Sequence, residues 1–184
     1  MLQTRRRIAE AALELHASVG PAETTIAAIA ERAGVQRQTV YRHFPDDLAL
    51  FEGCVELQVS KDPPPDPEPW RQIADPRERL TVALADVYAY FRRGENILAN
   101  ISRDMPALPA LRQAHEGVTE HWVTLRDVLA EGWGVRGPRR TMLVAAIGHA
   151  LEFTTWQSLV RRQGLSAKKA IAVMEEFIAS IVGS

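Results

Sequence analysis

Side chains that can make directed hydrogen bonds are concentrated in residues 36–43, which read QRQTVYRH. Gln38 offers an amide, Thr39 and Tyr41 offer hydroxyls, and Arg42 offers a guanidinium. Amide and guanidinium groups pair bidentately with base edges in the major groove, while hydroxyls and cations hold phosphates. This group of residues therefore predicts nucleic-acid recognition rather than catalysis.

Two short helices joined by a glycine turn would position these side chains. Thr25 can accept a hydrogen bond as the N-cap of the first helix, and Gly34 can end that helix in the left-handed conformation. The second helix, from Gln36 to Phe44, would turn Val40 and Phe44 toward the core and leave the polar residues outside. The inward positions of the first helix recur at helical spacing: Ile26, Ile29, Ala30 and Ala33. The pattern is that of a helix-turn-helix.

The same segment resembles the N-terminal signature of TetR-family transcriptional regulators over roughly the first 55 residues. The matching residues are Thr25, Ile29-Ala30, Ala33-Gly34-Val35, Thr39-Val40-Tyr41 and His43-Phe44. The resemblance implies an all-α chain with a three-helix helix-turn-helix head on a larger helical body that binds ligand and dimerises. It also implies base contacts from Arg37 and Gln38, and backbone contacts from Thr25, Thr39, Tyr41 and His43, with Arg42 on the same DNA-binding face.

The charge of the head is unusual for a DNA-binding protein, because its first 60 residues hold six arginines and eight carboxylates. DNA binding must then depend on where the charges lie, and we expect Glu10, Glu14, Glu52 and Glu56 to point away from the groove face. The expected salt dependence is modest. The run Arg5 to Arg7 is either a phosphate-contacting arm or a solvated helix start. Asp47 stands where the family commonly has a lysine that meets a phosphate.

Composition places the chain among globular proteins of a reducing compartment. A hydrophobic share of 46% over 184 residues supports a real core, and no apolar run approaches the roughly 18 residues of a membrane span. The expected location is the cytoplasm, without membrane partners. The single cysteine, Cys54, excludes an internal disulfide framework and is expected to be a buried structural thiol, with a redox sensor as the alternative.

The proline-rich segment 62–70, DPPPDPEPW, is expected to form no helix and to separate head from body. We assign residues 1–50 to a DNA-binding domain and 51–184 to an effector-binding and dimerisation domain, with about nine helices in all. Predicted body helices cover residues 75–93, 96–104, 110–131, 141–162 and 167–182, the last behind a Ser166 cap.

Apolar stripes on the last two helices predict a symmetric homodimer through a four-helix interface. Its expected residues are Leu143, Ile147, Leu151, Met174, Ile178 and Ile181. Aromatic residues on the body helices are either core or the lining of a small-molecule pocket. The expected pocket residues are Tyr88, Phe91, Asn100, His115, Trp122, His149 and Phe153. Because these helices carry few charges, the expected effector is neutral or weakly polar and largely apolar.

No catalytic motif is present: the sequence has no G-x-S-x-G, no phosphate-binding glycine loop and no H-E-x-x-H. We therefore expect no enzyme activity, no cofactor and no metal. The leading hypothesis is a homodimeric repressor that occludes a promoter on double-stranded operator DNA and is released by a small effector. The alternatives are an architectural or adaptor DNA-binding protein without an effector, and an all-helical enzyme or carrier that has lost DNA binding.

Overall fold

The computed structural model describes residues 2–183, and within that range the chain is helical with no strand. Twelve α-helices are present: α1 (Leu2–Ser18), α2 (Ile26–Ala33), α3 (Arg37–His43), α4 (Asp47–Lys61), α5 (Glu68–Arg71), α6 (Pro76–Arg93), α7 (Glu95–Asp104), α8 (Pro109–Ala114), α9 (Glu116–Leu129), α10 (Pro138–Ala150), α11 (Phe153–Gln157) and α12 (Ala167–Val182). A 3₁₀ turn covers Met105–Ala107 and a π-helical turn covers Ser158–Arg162. The all-α prediction is confirmed.

The helix count exceeds the expected nine because two predicted long helices are divided and because α5 was not expected. The helix expected over 110–131 breaks at His115, between α8 and α9, and the one expected over 141–162 breaks after Ala150. The expectation of no helix in 62–70 is wrong for its last residues, since α5 begins at Glu68. Proline is tolerated there because the first turn of a helix needs no intrahelical N–H donor.

The described residues form two compact units, the first made of residues 2–63 with 94–117 and the second of residues 64–93 with 118–183. The change from the first unit to the second at residue 64 lies inside the proline-rich segment. The functional division at residue 50 stays a prediction. None of the helices within residues 2–183 is long and apolar enough to cross a membrane.

The first unit is built around α1, which packs against α2, α4 and α7, while α8 covers α4. Its core contains Ile8, Ile29, Val40, Phe44 and Leu50, all at least 95% buried. Val40 and Phe44 are the residues that the sequence pattern turned inward from the second helix. Their burial fixes which face of α3 remains outside.

The second unit packs α6, α10 and α12 together, with α5 and α11 against α6. Leu84, Val87, Leu143, Ile147 and Ile178 are fully buried in its core. These positions recur at helical spacing on their helices, so burial follows the apolar stripes read from sequence. The unit therefore has a complete apolar core of its own.

Candidate nucleic-acid interface

The connection between α2 and α3 is held by local hydrogen bonds. Thr25 Oγ1 accepts a bond from the Ala28 N–H at 3.1 Å, which confirms the predicted N-cap. Gly34 has φ 63° and ψ 43°, a left-handed conformation that strains residues with a Cβ. The Val35 N–H donates to the Ala30 carbonyl at 2.9 Å and closes the turn. The direction of α3 is therefore set by bonds within a dozen residues.

The outer face of α3 carries the predicted DNA-contacting side chains. Arg37, Gln38, Tyr41 and Arg42 are exposed, whereas Thr39 and His43 are half-buried. Tyr41 is 54% exposed although it is a large aromatic residue. Thr25 is exposed at the start of α2, where its hydroxyl is already used by the cap. The arrangement brings the α3 residues onto one surface, and their individual contacts with DNA stay predictions.

The end of α3 is locked from behind by contacts to α1 and α4. Phe44, which ends α3, is 1% exposed, and the Arg5 guanidinium carbon lies 4.8 Å from the centroid of its ring. A Cβ placed on Gly53 of α4 would lie 2.6 Å from Phe44 Cε1. Glycine at position 53 therefore lets the ring sit against the α4 backbone.

Ion pairs divide the cations of the head into two groups. Arg5 pairs with Glu56 at 3.5 Å. Glu10 Oε1 forms ion pairs with Arg6 Nε and Lys61 Nζ, each at 3.2 Å. The remaining pair joins Arg32 to Glu14 at 2.8 Å. The second group is Arg7, Arg37 and Arg42, which form no ion pair with any residue in the range 2–183.

Glu10, Glu14 and Glu56 each pair with a cation on a neighbouring turn or helix. The expectation that these carboxylates point away from the groove face stays a prediction. Hydrogen bonds from Lys61 and Arg6 lower the pKa of Glu10, so it stays ionised. The Arg6–Glu10 pair has i,i+4 spacing and was readable from sequence, whereas the others join different helices. Glu52 is exposed and has no ion pair with the described residues.

The start of α4 is acidic, as the sequence indicates. Asp46 Oδ1 accepts a bond from the Ala49 N–H at 2.8 Å and caps the helix. Asp47 lies in the first turn and is exposed. Both carboxylates complement the positive end of the helix dipole. The α4 N-terminus therefore offers no side-chain cation to a phosphate.

The predicted effector residues of the second unit form an aromatic cluster. The Phe91 ring centroid lies 5.4 Å from that of Trp122, 5.6 Å from that of Phe153 and 6.3 Å from that of Tyr88. The Tyr88 hydroxyl donates to the Ala150 carbonyl at 3.3 Å, and burial raises the pKa of this phenol. These contacts place the four rings together as a packed group.

The polar members of the predicted pocket have other partners. Asn100 and His115 belong to the first unit, where Asn100 Nδ2 donates to the His16 and Ala17 carbonyls at 2.9 and 3.0 Å. His115 Nδ1 donates to the Leu111 carbonyl at 2.8 Å. In the second unit His149 is exposed, with Nδ1 3.3 Å from a threonine hydroxyl. Their role in ligand binding stays a prediction.

The guanidinium groups of two arginines lie over rings of the aromatic cluster, which the sequence did not predict. The Arg161 guanidinium carbon lies 5.4 Å from the Trp156 ring centroid, and that of Arg93 lies 5.8 Å from the Tyr90 centroid. Trp156 and Tyr90 both contact Phe91 at 6.1 Å. Two guanidinium groups thus lie beside the cluster, whereas the expectation of a neutral effector assumed that few charges are near it.

The residues predicted for the dimer interface lie mostly inside the second unit. Leu143, Ile147, Leu151, Met174 and Ile178 are buried between α10 and its neighbours, and Ile181 is half-buried. Buried side chains are unavailable to a second copy, because they already contact their own chain. The large apolar residues that these two helices leave exposed are Met142, Val173 and Phe177.

Cys54 is buried in the core of the first unit, and burial raises the pKa of its thiol to about 12. A thiol that stays protonated is a poor redox sensor, so the structural interpretation is the better supported one. Across residues 2–183, no three His, Cys, Asp or Glu side chains lie together as a set that could hold a metal ion.

Comparison with known proteins places this interface in a recognised class. Residues 8–54 match the model described as bacterial regulatory proteins, tetR family. An uncharacterized HTH-type transcriptional regulator of Mycobacterium tuberculosis is 30% identical over 139 residues, which cover 72% of this chain and 64% of that protein. The match thus covers 64%, less than two thirds, of the length of these curated relatives.

Solved structures of low sequence identity share the fold. A TetR-family transcriptional regulator from Syntrophomonas wolfei superposes with a TM-score of 0.70 at 16% identity, over 98% of this chain and 95% of the other. NalD, the secondary repressor of the MexAB-OprM multidrug efflux pump in Pseudomonas aeruginosa, superposes with a TM-score of 0.62 at 20% identity, over 96% and 94% of the two chains.

Proposed function

Because this chain belongs to the TetR family of bacterial regulatory proteins, we propose that it is a transcriptional regulator that binds double-stranded operator DNA through α3. In this proposal Arg37 and Gln38 contact base edges in the major groove, and Arg42 holds phosphate. Tyr41 packs on the DNA backbone beside them. Thr25, Thr39 and His43 complete the contact surface.

One observation carries this proposal: two of the three head cations that have no ion pair with the described residues, Arg37 and Arg42, lie on the exposed face of α3. Arg37 and Arg42 have no carboxylate partner in the described chain, while Arg5, Arg6 and Arg32 each have one. In a protein of net charge −1, the local excess of positive charge is what a phosphate backbone would meet first.

We propose that the protein acts as a homodimer. Val173 and Phe177 lie four residues apart on α12 and are 43% and 45% exposed, and Met142 on α10 is 56% exposed. Exposed apolar side chains on two packed helices favour burial against a second copy of the same face. A twofold dimer would present two α3 helices to half-sites about 34 Å apart.

We further propose that the dimer represses transcription in the cytoplasm by occluding a promoter, and that a small, largely apolar effector releases it. NalD, which shares the fold, is a repressor, and this supports the direction of control. In this proposal the aromatic residues around Phe91 supply the apolar surface that the effector contacts in the second unit. An effector shifts DNA binding only as far as its affinity differs between the two states.

A second candidate is an architectural or adaptor DNA-binding protein that has no effector. The close packing of the aromatic rings favours it, since Phe91 alone contacts five other rings within 6.3 Å. Ligand-free and ligand-screened thermal melts separate the two, because an effector that binds only the folded state raises the melting temperature. An enzyme is the weakest of the three hypotheses and is not proposed.

Selection of bound sequences from a random-duplex pool tests the proposal directly. The expected result is an enriched palindrome, with specific binding lost in Tyr41→Ala and with relaxed base preference in Gln38→Ala. Both side chains are exposed, so both variants should keep the wild-type melting temperature. Val123→Ala, which truncates an exposed apolar residue of α9, is the control and should leave DNA binding unchanged. Enrichment of no sequence by the folded wild type would overturn the assignment.

A further inference from the structure

A shallow groove between α1 and α4 lies next to the end of α3. Its volume is about 250 Å³, and it is lined by Arg5, Arg6, Ala9, Gly53, Glu56, Leu57 and Ser60. Arg5 links the groove to the end of α3, because its guanidinium covers the ring of Phe44, the residue that ends this helix. The groove therefore has one guanidinium, that of Arg5, against the end of the proposed DNA-contacting helix, and the Arg6 side chain follows it along α1.

Carboxylates of the same chain already form ion pairs with these cations. Glu56 Oε2 lies 3.5 Å from Arg5 Nη1, and Glu10 Oε1 accepts from both Arg6 Nε and Lys61 Nζ at 3.2 Å. The pairs tie α1 to α4 at two places. They are exposed pairs, with side-chain exposures between 34% and 76%, so water and ions can exchange with them.

We propose that Glu10 and Glu56 compete with DNA phosphates for Arg5, Arg6 and Lys61, and so hold the affinity for DNA below what these cations would otherwise provide. The effect on operator binding rests on the function proposed above. The competition itself requires only a polyanion that reaches the groove.

The physical basis is an exchange of one anion for another. A phosphate that binds Arg5 must displace Glu56, and the freed carboxylate then lies near the negative charge of the DNA. Exposed ion pairs are individually weak, so displacement is feasible and its cost is modest. Because the carboxylate already neutralises the arginine, fewer counterions are released on DNA binding. The salt dependence is therefore shallower than the number of cations suggests.

The test compares the full chain with the double variant Glu10→Gln plus Glu56→Gln. Glutamine keeps the shape of each side chain but removes the charge, and it frees three cations. The expected affinity for a random-sequence 20-base-pair duplex rises roughly three- to 150-fold, the range spanned by three exposed ion pairs. The slope of log K against log salt steepens by about 0.9 for each freed cation that meets a phosphate.

A matched control separates competition from the loss of negative charge. Glu31→Gln plus Glu52→Gln also removes two exposed carboxylates from the head, and neither residue has an ion pair with the described chain. If this control raises affinity as much as the first pair, or if the first pair changes neither affinity nor slope, the competition is refuted. Melting temperatures of all variants establish that each is folded.

The results that would refute the proposed function differ from those that would refute the competition. A wild-type protein that selects no sequence, and whose Tyr41→Ala variant binds DNA as well as wild type does, would refute operator reading. The Gln variants would still strengthen binding to the random duplex if Glu10 and Glu56 mask the cations. Equal strengthening on a selected operator and on the random duplex is the result expected when both proposals hold.

Discussion

Gly53 and the Phe44 ring are in such close contact that a Cβ at residue 53 would lie 2.6 Å from Phe44 Cε1 and 3.2 Å from Cζ. Phe44 is the C-terminal boundary of α3, and Arg5 covers its ring at 4.8 Å. The orientation of the reading helix thus depends on the absence of one methyl group on α4. This contact explains why a helix interior carries glycine in spite of its low helix propensity.

Gly53→Ala is expected to destabilise the protein by about 1 to 3 kcal/mol and to weaken specific DNA binding, because the buried ring has to shift to admit the methyl group. Urea denaturation measures the first effect and duplex binding the second. Gly117→Ala is the control, since a Cβ there meets no atom within 4 Å. That helical substitution should be neutral or stabilising by up to about 1 kcal/mol. Equal effects of the two variants would contradict the close contact.

Arg79 is the basis of the second prediction, because it is 6% exposed and bonds only to carbonyl groups. Its Nε donates to Ile73 at 3.0 Å and its Nη1 to Val128 at 3.0 Å, near the end of α9. Arg79→Met leaves these acceptors without a donor and is expected to cost about 2 to 3 kcal/mol. Urea denaturation measures this cost. Arg77→Met, two residues away and exposed, should change stability by less than about 0.5 kcal/mol.

Local signals made the reading helix predictable from sequence. The Thr25 cap, the Gly34 turn and the inward pair Val40 and Phe44 each depend on residues close in the chain, and the structure has all of them. The breaks at His115 and after Ala150 were not predictable in the same way. Gly117 and Gly148 each lie two residues from one of these breaks, but neither has a positive φ. Tertiary packing therefore overrides the periodic pattern there.

Ion pairs between distant residues could not be predicted from the sequence, and neither could the surface against which each apolar stripe packs. The Arg5–Glu56 pair joins residues 51 apart, and only the folded helices reveal it. Adjacent residues on α12 have opposite fates, since Ile178 is fully buried while Phe177 is 45% exposed. An apolar stripe shows that one face of a helix is to be buried, but it does not show whether the same chain or a second copy buries it.

The third prediction concerns acid stability and follows from His16. Burial lowers the pKa of this imidazole from 6.5 to about 4; His115 also lowers it, while Asp104 acts in the opposite direction. The unfolded chain then binds a proton that the folded chain does not bind between these two pH values. Stability is therefore full above about pH 6.5 and falls as the pH decreases toward 4, by up to about 3 kcal/mol.

Urea denaturation at pH 7 and pH 5 measures this loss, and His16→Met is the comparison. The variant keeps an apolar side chain against Phe51, whose ring centroid lies 5.6 Å from that of His16. It should lose less stability between the two pH values than wild type, although burial also lowers the pKa of His115 and leaves part of the dependence. An unchanged pH dependence in His16→Met would assign the acid sensitivity to other groups.

The fourth prediction tests the proposed dimer face. Phe177→Glu and Val173→Glu each place a charge where the proposed interface would bury it, and an unpaired buried charge is costly. Sedimentation velocity at micromolar concentration should show a dimer for wild type and a monomer for either variant. Each side chain is exposed in the single chain, so the monomers should stay folded.

Val123→Glu is the matched control for the dimer experiment, because Val123 is also an exposed apolar residue of the second unit, 41% exposed on α9. This variant should sediment as the wild type does. Val173→Glu and Phe177→Glu should also lose affinity for a two-half-site operator while keeping weak binding to a single half-site, since only the dimer joins two reading helices. A dimer that survives both substitutions would place the interface on another face.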